Sequence, residues 1–134
     1  MIPDELLPAM QGVVPSHITT CSADGKPNVT AISQIFYVDA THVAVSQQFF
    51  TKTSANLAEN PWAVLQLVHP ETALMWLLDV RFVRGEKEGP LFDAMEMQLE
   101  AIASMQGMQG VFKLRSADVF EVLAIRPMRE ASTP

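Results

Sequence analysis

A polar, hydroxyl-rich stretch follows a short apolar run near the middle of the chain. Residues 46–61 read SQQFFTKTSANLAENP, in which Lys52 stands between two threonines and is closely followed by Ser54. The hydroxyl and Asn side chains are typical of a helix start, and Pro61 disfavours helix in the residue before it. Because a helix N-terminus has unpaired N–H groups and a partial positive charge, the lysine and hydroxyls would complete an anion site. The stretch alone also fits a capped surface helix with an incidental lysine.

The common signatures of nucleotide, metal and acyl chemistry are absent from the sequence. It contains no GxGxxG or Walker loop, no paired-cysteine motif and no HExxH motif. The three histidines, His17, His42 and His69, fall on separate predicted strands or turns without ligand-like spacing, which predicts no metal site. No serine stands in a nucleophile elbow, so the catalytic residues stay unassigned.

Composition and charge limit the class of protein. The 134 residues fit one domain over residues 1–134, and 49% apolar with 18% charged residues is typical of a packed globular chain. A net charge of -6, with nine scattered Lys and Arg residues, argues against a nucleic-acid partner. No apolar run approaches the roughly 20 residues of a membrane helix, and residues 1–12 lack a signal-peptide pattern. We therefore expect a cytoplasmic location and no membrane partner.

Six stretches of strand-forming residues predict the body of the fold. The first two form a hairpin around the turn Asp24-Gly25, and the second of them spans residues 29–38. The others are HVAVS, WAVLQLV, LMWLLDVRFVRGEKE and ADVFEVLAIRP. Most connections are too short for a crossover helix, which favours a small antiparallel barrel.

Three helices are predicted at the ends of this barrel. Residues 1–12 form a short leading helix that packs on the barrel as a lid, and TSANLAEN forms a second. A long third helix is indicated by apolar residues at intervals of three and four, and it ends near Gly107. Those residues are Phe92, Met95, Leu99 and Ile102. Residues 129–134 are expected to be a frayed tail.

The order of these elements resembles the pyridoxamine 5'-phosphate oxidase-like FMN-binding split-barrel superfamily, from about Val14 to Met128. TTCSADGKPNVTAISQIFYV is similar to the family's strand, Asp-Gly-x-Pro turn and strand. VAVSQQFFTKTSANLAENPWAVLQLV is similar to its strand, basic phosphate-binding pair, Asn-Leu helix and Asn-Pro entry into the next strand. VRFVRGEKE looks like the long strand that ends in the family's Gly. The resemblance implies a mainly β (α+β) fold, a six-stranded antiparallel split β-barrel with flanking helices.

The resemblance also implies a homodimer that binds flavin mononucleotide (FMN) in clefts between its subunits. Eight positions match residues that hold the cofactor in the family: Thr30, Ala31, Ile32, Ser33, Ser46, Gln47, Lys52 and Thr53. The first four match the strand along the isoalloxazine ring and ribityl chain, and the next two match a polar pair at the end of the following strand. The last two stand where the family often has Arg and Lys for the phosphate. Because Thr53 replaces a basic residue, the phosphate would depend on one lysine plus hydroxyl and amide donors.

By this resemblance the protein is a flavoprotein that passes electrons or hydride between a reduced nicotinamide and a small-molecule substrate. The cofactor would carry out the redox step, and the protein would position it. One alternative is a non-catalytic regulatory module that holds flavin or another ligand on the same barrel, and a deazaflavin could replace FMN. The true oxidases of the family have a further C-terminal region with basic and aromatic residues, so pyridoxamine phosphate oxidation is not expected here.

Overall fold

Antiparallel strands form one sheet, and helices pack against it. The computed structural model describes residues 1–11, 14–32, 35–47, 51–105, 107 and 113–128. Its strands are β1 (Ser16–Cys21), β2 (Pro27–Ile32), β3 (Ile35–Asp39), β4 (His42–Gln47), β5 (Trp62–Val68), β6 (Met75–Glu86) and β7 (Ser116–Pro127). Its helices are a leading 3-10 helix (Asp4–Met10), α1 (Thr51–Glu59) and α2 (Pro90–Met105). Within these ranges no helix has the length and apolar character needed to cross a membrane.

The sheet has seven strands among the described residues, one more than the six predicted. The predicted strand over residues 29–38 is two strands, β2 and β3, which lie at opposite edges of the order β2-β1-β5-β6-β7-β4-β3. Two residues separate Ile32 from Ile35, so the two edges lie within about 11 Å of each other at this point. The sheet is therefore curled and barrel-like, and the mainly β, antiparallel α+β fold is confirmed.

Apolar side chains that alternate along the strands fill the interior of the curled sheet. Leu65 on β5 pairs with Leu78 on β6, and both side chains are fully buried. Phe120 on β7 is also fully buried, and its ring meets that of Phe82 edge-on with centroids 5.6 Å apart. Leu6 of the leading helix joins the same cluster, so this helix covers the barrel as predicted. Burial of these side chains is the main source of stability.

The long helix α2 covers the opposite face of β4 and β7. Its buried residues Met95 and Leu99 pack with Ala44, Ala117 and Val119 in a second apolar cluster. Because successive strand residues point to opposite faces, the side chains next to these three enter the barrel interior. The predicted amphipathic helix is confirmed, and β4 and β7 are covered on both faces.

Candidate functional site

The first turn of α1 places a cation beside the hairpin of β1 and β2. Lys52 is exposed in this turn, which contains no acidic residue. The pKa of exposed Asp24 in the hairpin turn is lowered, first by hydrogen bonds from the Ser22 hydroxyl and its own backbone N–H, and also by the Lys52 charge. At the other end of α1, the Glu59 carboxylate accepts a hydrogen bond from Ala23 N–H at 3.2 Å. Both ends of α1 therefore interact with the hairpin turn, and the helix lies alongside it.

Thr53 faces inward and joins α1 to the hairpin. It is 1% exposed, and its Oγ1 lies 3.2 Å from Thr30 Oγ1 and 3.4 Å from Asn28 Nδ2. The next inward residue of α1, Asn56, donates from Nδ2 to Thr20 Oγ1 at 3.1 Å. We call these contacts the buried polar layer. It brings the predicted site residues Thr30 and Thr53 together through a direct contact within the protein.

The other predicted positions on β2 lie on different faces. Ala31 is exposed on the outer face of the sheet, opposite His17 of β1, whereas Ile32 is 3% exposed and belongs to the interior cluster. Ser33 lies outside the described residues. In the described pairings β2 is an edge strand, so one side of its backbone is available to a ligand or a second chain.

Ser46 and Gln47 end β4 next to the start of β7. Ser46 is fully buried and pairs in register with Ala117. The backbone carbonyl of Gln47 accepts a hydrogen bond from Arg115 N–H at 2.8 Å, and its Nε2 donates to Asp118 Oδ2 at 2.9 Å. Both the backbone and the side chain of Gln47 are therefore tied to the region at the start of β7.

A buried carboxyl group on β7 is the feature that the sequence analysis missed. Asp118 is 4% exposed, and its Oδ1 accepts a hydrogen bond from Ser116 Oγ at 2.8 Å while Oδ2 accepts the one from Gln47. Gly85 on β6 pairs with Asp118, and a Cβ at this glycine would lie 2.9 Å from Ser116 Oγ and 3.0 Å from Asp118 Oδ1. We call Gln47, Gly85, Ser116 and Asp118 the Asp118 cluster. In the sequence, Ser116 and Asp118 alternate with apolar residues, and this pattern could have indicated that both lie on one face of a strand.

Burial raises the pKa of Asp118. The hydrogen bonds from Ser116 and Gln47 and the positive charge of Lys87 act in the opposite direction without cancelling the effect. A carboxylate removed from water is disfavoured unless it is paired or bonded, which explains why both of its oxygens accept hydrogen bonds.

We expect Gly85→Ala to lower the free energy of unfolding by about 1 to 3 kcal/mol, because the added methyl group has no space beside Ser116 and Asp118. Urea unfolding measures this change. Adding Ser116→Ala removes one of the two crowded oxygens and should recover part of the loss. Wild-type stability in Gly85→Ala would contradict the crowding.

Asp118 should make the protein less stable as the pH rises. Because its pKa is higher in the folded than in the unfolded chain, the folded state binds the proton more tightly. Stability is then lost from about pH 4, near the unfolded pKa, upward through the raised folded pKa. Asp118→Asn removes this titration, so the variant should gain stability relative to wild type as the pH rises. Urea unfolding of both proteins at several pH values tests this, and a constant difference would contradict it.

Several solved structures share the fold at low sequence identity. An FMN-binding protein from Syntrophomonas wolfei subsp. wolfei has a TM-score of 0.78 and 18% identity, with 96% of this chain and 89% of that chain covered. HupZ from Group A Streptococcus has a TM-score of 0.74 and 18% identity, covering 100% and 99%. An F420 reductase has a TM-score of 0.65 and 13% identity, covering 92% and 98%. Likeness at these identities establishes the fold alone.

Sequence comparison identifies the family. No curated protein matches the chain. A family model described as pyridoxamine 5'-phosphate oxidase, however, matches residues 2–129, from the residues before the leading helix to those after β7. This match confirms the resemblance inferred from the hairpin and helix motifs. The chain belongs to the pyridoxamine 5'-phosphate oxidase family.

Proposed function

We propose that this protein is an FMN-binding flavoprotein and an oxidoreductase, which passes electrons or hydride between a reduced nicotinamide and a small molecule. The observation that carries the proposal is the attachment of the α1 start to edge strand β2 through the contact of Thr53 with Thr30. This contact holds an exposed lysine next to an edge strand in a chain of this family. When bound, FMN would supply the redox chemistry, and the chain's own residues would bind and orient it.

The start of α1 fits the phosphate of FMN. Lys52 is exposed there, and the partial positive charge of the helix N-terminus favours an anion. The Thr53 hydroxyl is 1% exposed and already contacts Thr30, so the lysine is the described side chain best placed for the phosphate. The Lys52 charge also acts on the exposed Asp24 carboxyl group of the hairpin turn.

The edge strand β2 fits the flat part of the cofactor. Thr30 and Ala31 are small, and Ala31 is exposed, so a ring system can approach the backbone closely. Gln47 ends β4 five positions before Lys52, which places the two residues within about 18 Å of each other. The polar end of β4 and the phosphate end of the site are thus compatible with one elongated ligand.

We also propose a homodimer whose interface contains the cofactor clefts. The outer face of the sheet exposes large apolar side chains, among them Val29 (62% exposed) and Trp62 (55% exposed). These belong to one face, because Val29 is opposite Thr19, Thr19 is opposite Val64, and Val64 lies two residues after Trp62. A second copy would remove this apolar surface from water, next to the exposed Ala31.

Titration of the purified protein with FMN, followed by flavin fluorescence and the visible spectrum, tests the function. We expect saturable binding and anaerobic bleaching of the flavin when NADH or NADPH is added. Absence of measurable FMN affinity would overturn the proposal. Binding without reduction by either nicotinamide would favour the non-catalytic regulatory module. Because the fold is shared with an F420 reductase, the deazaflavin F420 is the matched alternative ligand in the same titration.

Lys52→Ala should weaken FMN binding by about 1.5 to 3 kcal/mol, which is the scale of a charge-assisted hydrogen bond, and leave riboflavin affinity nearly unchanged. The comparison of the two ligands isolates the phosphate, since riboflavin lacks it. Lys26→Ala, which removes an exposed lysine from the nearby turn, serves as the control for local charge. Equal losses for both ligands would mean that Lys52 has only a structural role.

A further inference from the structure

The Asp118 cluster determines which end of the Gln47 side-chain amide faces Asp118. Both carboxyl oxygens of Asp118 accept hydrogen bonds, so each group that faces them is a donor. One of these groups is the Nε2 of Gln47, at 2.9 Å from Asp118 Oδ2, while Ser116 Oγ occupies the other oxygen. The amide oxygen Oε1 is consequently the end of Gln47 that is directed away from Asp118.

The backbone of Gln47 is held at the same place. Its carbonyl accepts a hydrogen bond from Arg115 N–H at 2.8 Å, and its Cα pairs in register with Ser116. Gln47 is half-buried, so part of its side chain stays accessible at the end of β4. The region at the start of β7 therefore defines the position of this residue, and Asp118 defines the orientation of its amide.

The arrangement is unfavourable for packing alone. Asp118 lies on the interior face of β7, two residues before the fully buried Phe120, where an apolar side chain would avoid the desolvation of a carboxyl group. Gly85 also lacks space for a side chain, because Ser116 and Asp118 occupy it. Three strands thus accommodate a buried acid whose hydrogen-bond partners in the described part of the chain are Ser116 and a predicted cofactor residue, Gln47.

We propose that Asp118 is a positioning residue for the flavin site. Asp118 holds the Gln47 amide so that Gln47 Oε1 accepts a hydrogen bond from the flavin ring or ribityl chain. This inference rests on the proposed function. The donor on the ligand is an imide N–H or a hydroxyl group, both of which riboflavin and FMN share. Asp118 therefore contributes equally to the affinity for both ligands, unlike Lys52.

Asp118→Asn tests the proposal, because the amide that it introduces at position 118 can donate a hydrogen bond to Gln47 Oε1. The Gln47 amide would then be turned, with Nε2 toward the ligand. We expect the dissociation constants of FMN and riboflavin to rise by about tenfold each, the scale of one hydrogen bond. In a Gln47→Ala background the same substitution should have no further effect. The exchange Asp118→Asn with Gln47→Glu restores an acceptor toward the ligand and should recover most of the affinity. Ser116→Ala, which leaves the Gln47 contact intact, is the matched control and should change affinity less.

The outcomes separate this inference from the proposed function. Suppose that wild type binds flavin and that Asp118→Asn weakens flavin binding equally in the wild-type and the Gln47→Ala backgrounds. Asp118 then has a general structural role, and the inference is wrong. Unchanged affinity in Asp118→Asn overturns it as well. If wild type binds no flavin, the proposed function and this inference fall together. Urea unfolding checks that each variant is folded, and Asp118→Ser replaces Asp118→Asn in the cycle if that variant does not fold.

Discussion

The short link between β2 and β3 is the constraint on which the other features depend. These strands lie at opposite edges of the sheet, and only two residues separate them, so the sheet has to curl until its edges approach. Curling creates an enclosed interior, which the apolar residues of β5, β6 and β7 fill. Leu6 of the leading helix and Leu57 of α1 pack against this interior. The candidate site lies where α1 meets the edge strand β2.

Polar contacts connect the covering elements to the strands. On β1 the inward residues are Ser16, Ile18 and Thr20, so the apolar centre of the strand is flanked by hydroxyl groups. Thr20 bonds to α1 through Asn56, and on β7 the inward Asp118 bonds to Gln47. Because such bonds are directional, they fix the position of a helix or a strand end more closely than apolar contact does. The exposed start of α1 and the end of β4 are thereby held on a rigid frame.

Elements whose apolar residues recur at one regular spacing, or that are joined by a clear turn, were predictable from the sequence. The division of residues 29–38 into two strands was not. The spacing of Met95 and Leu99 was sufficient to predict α2, and Asp24-Gly25 to predict the first hairpin. In residues 29–38, however, strand-forming residues continue without a turn signal, and the break depends on the pairing of β3 with β4. The local sequence does not indicate which edge of a sheet a strand joins.

The candidate site shows the same limit. Helix-start chemistry predicted where Lys52 lies, because capping depends on neighbouring residues. The inward turn of Thr53 depends on Thr30, 23 positions earlier, and the orientation of Gln47 depends on Asp118, 71 positions later. Contacts at such separations exist only once distant parts of the chain have come together in the fold.

The contrast between the two polar regions indicates which one is shaped by a requirement beyond folding. The buried polar layer consists of neutral hydroxyl and amide groups. These groups form hydrogen bonds with one another, so their burial costs little free energy. The Asp118 cluster instead places an ionisable group in the interior and leaves no room for a side chain at position 85. An apolar group at this point would avoid the desolvation of a carboxyl group. Locally unfavourable choices in natural proteins concentrate at functional sites, and this one contacts the end of the strand that the family resemblance assigns to the cofactor.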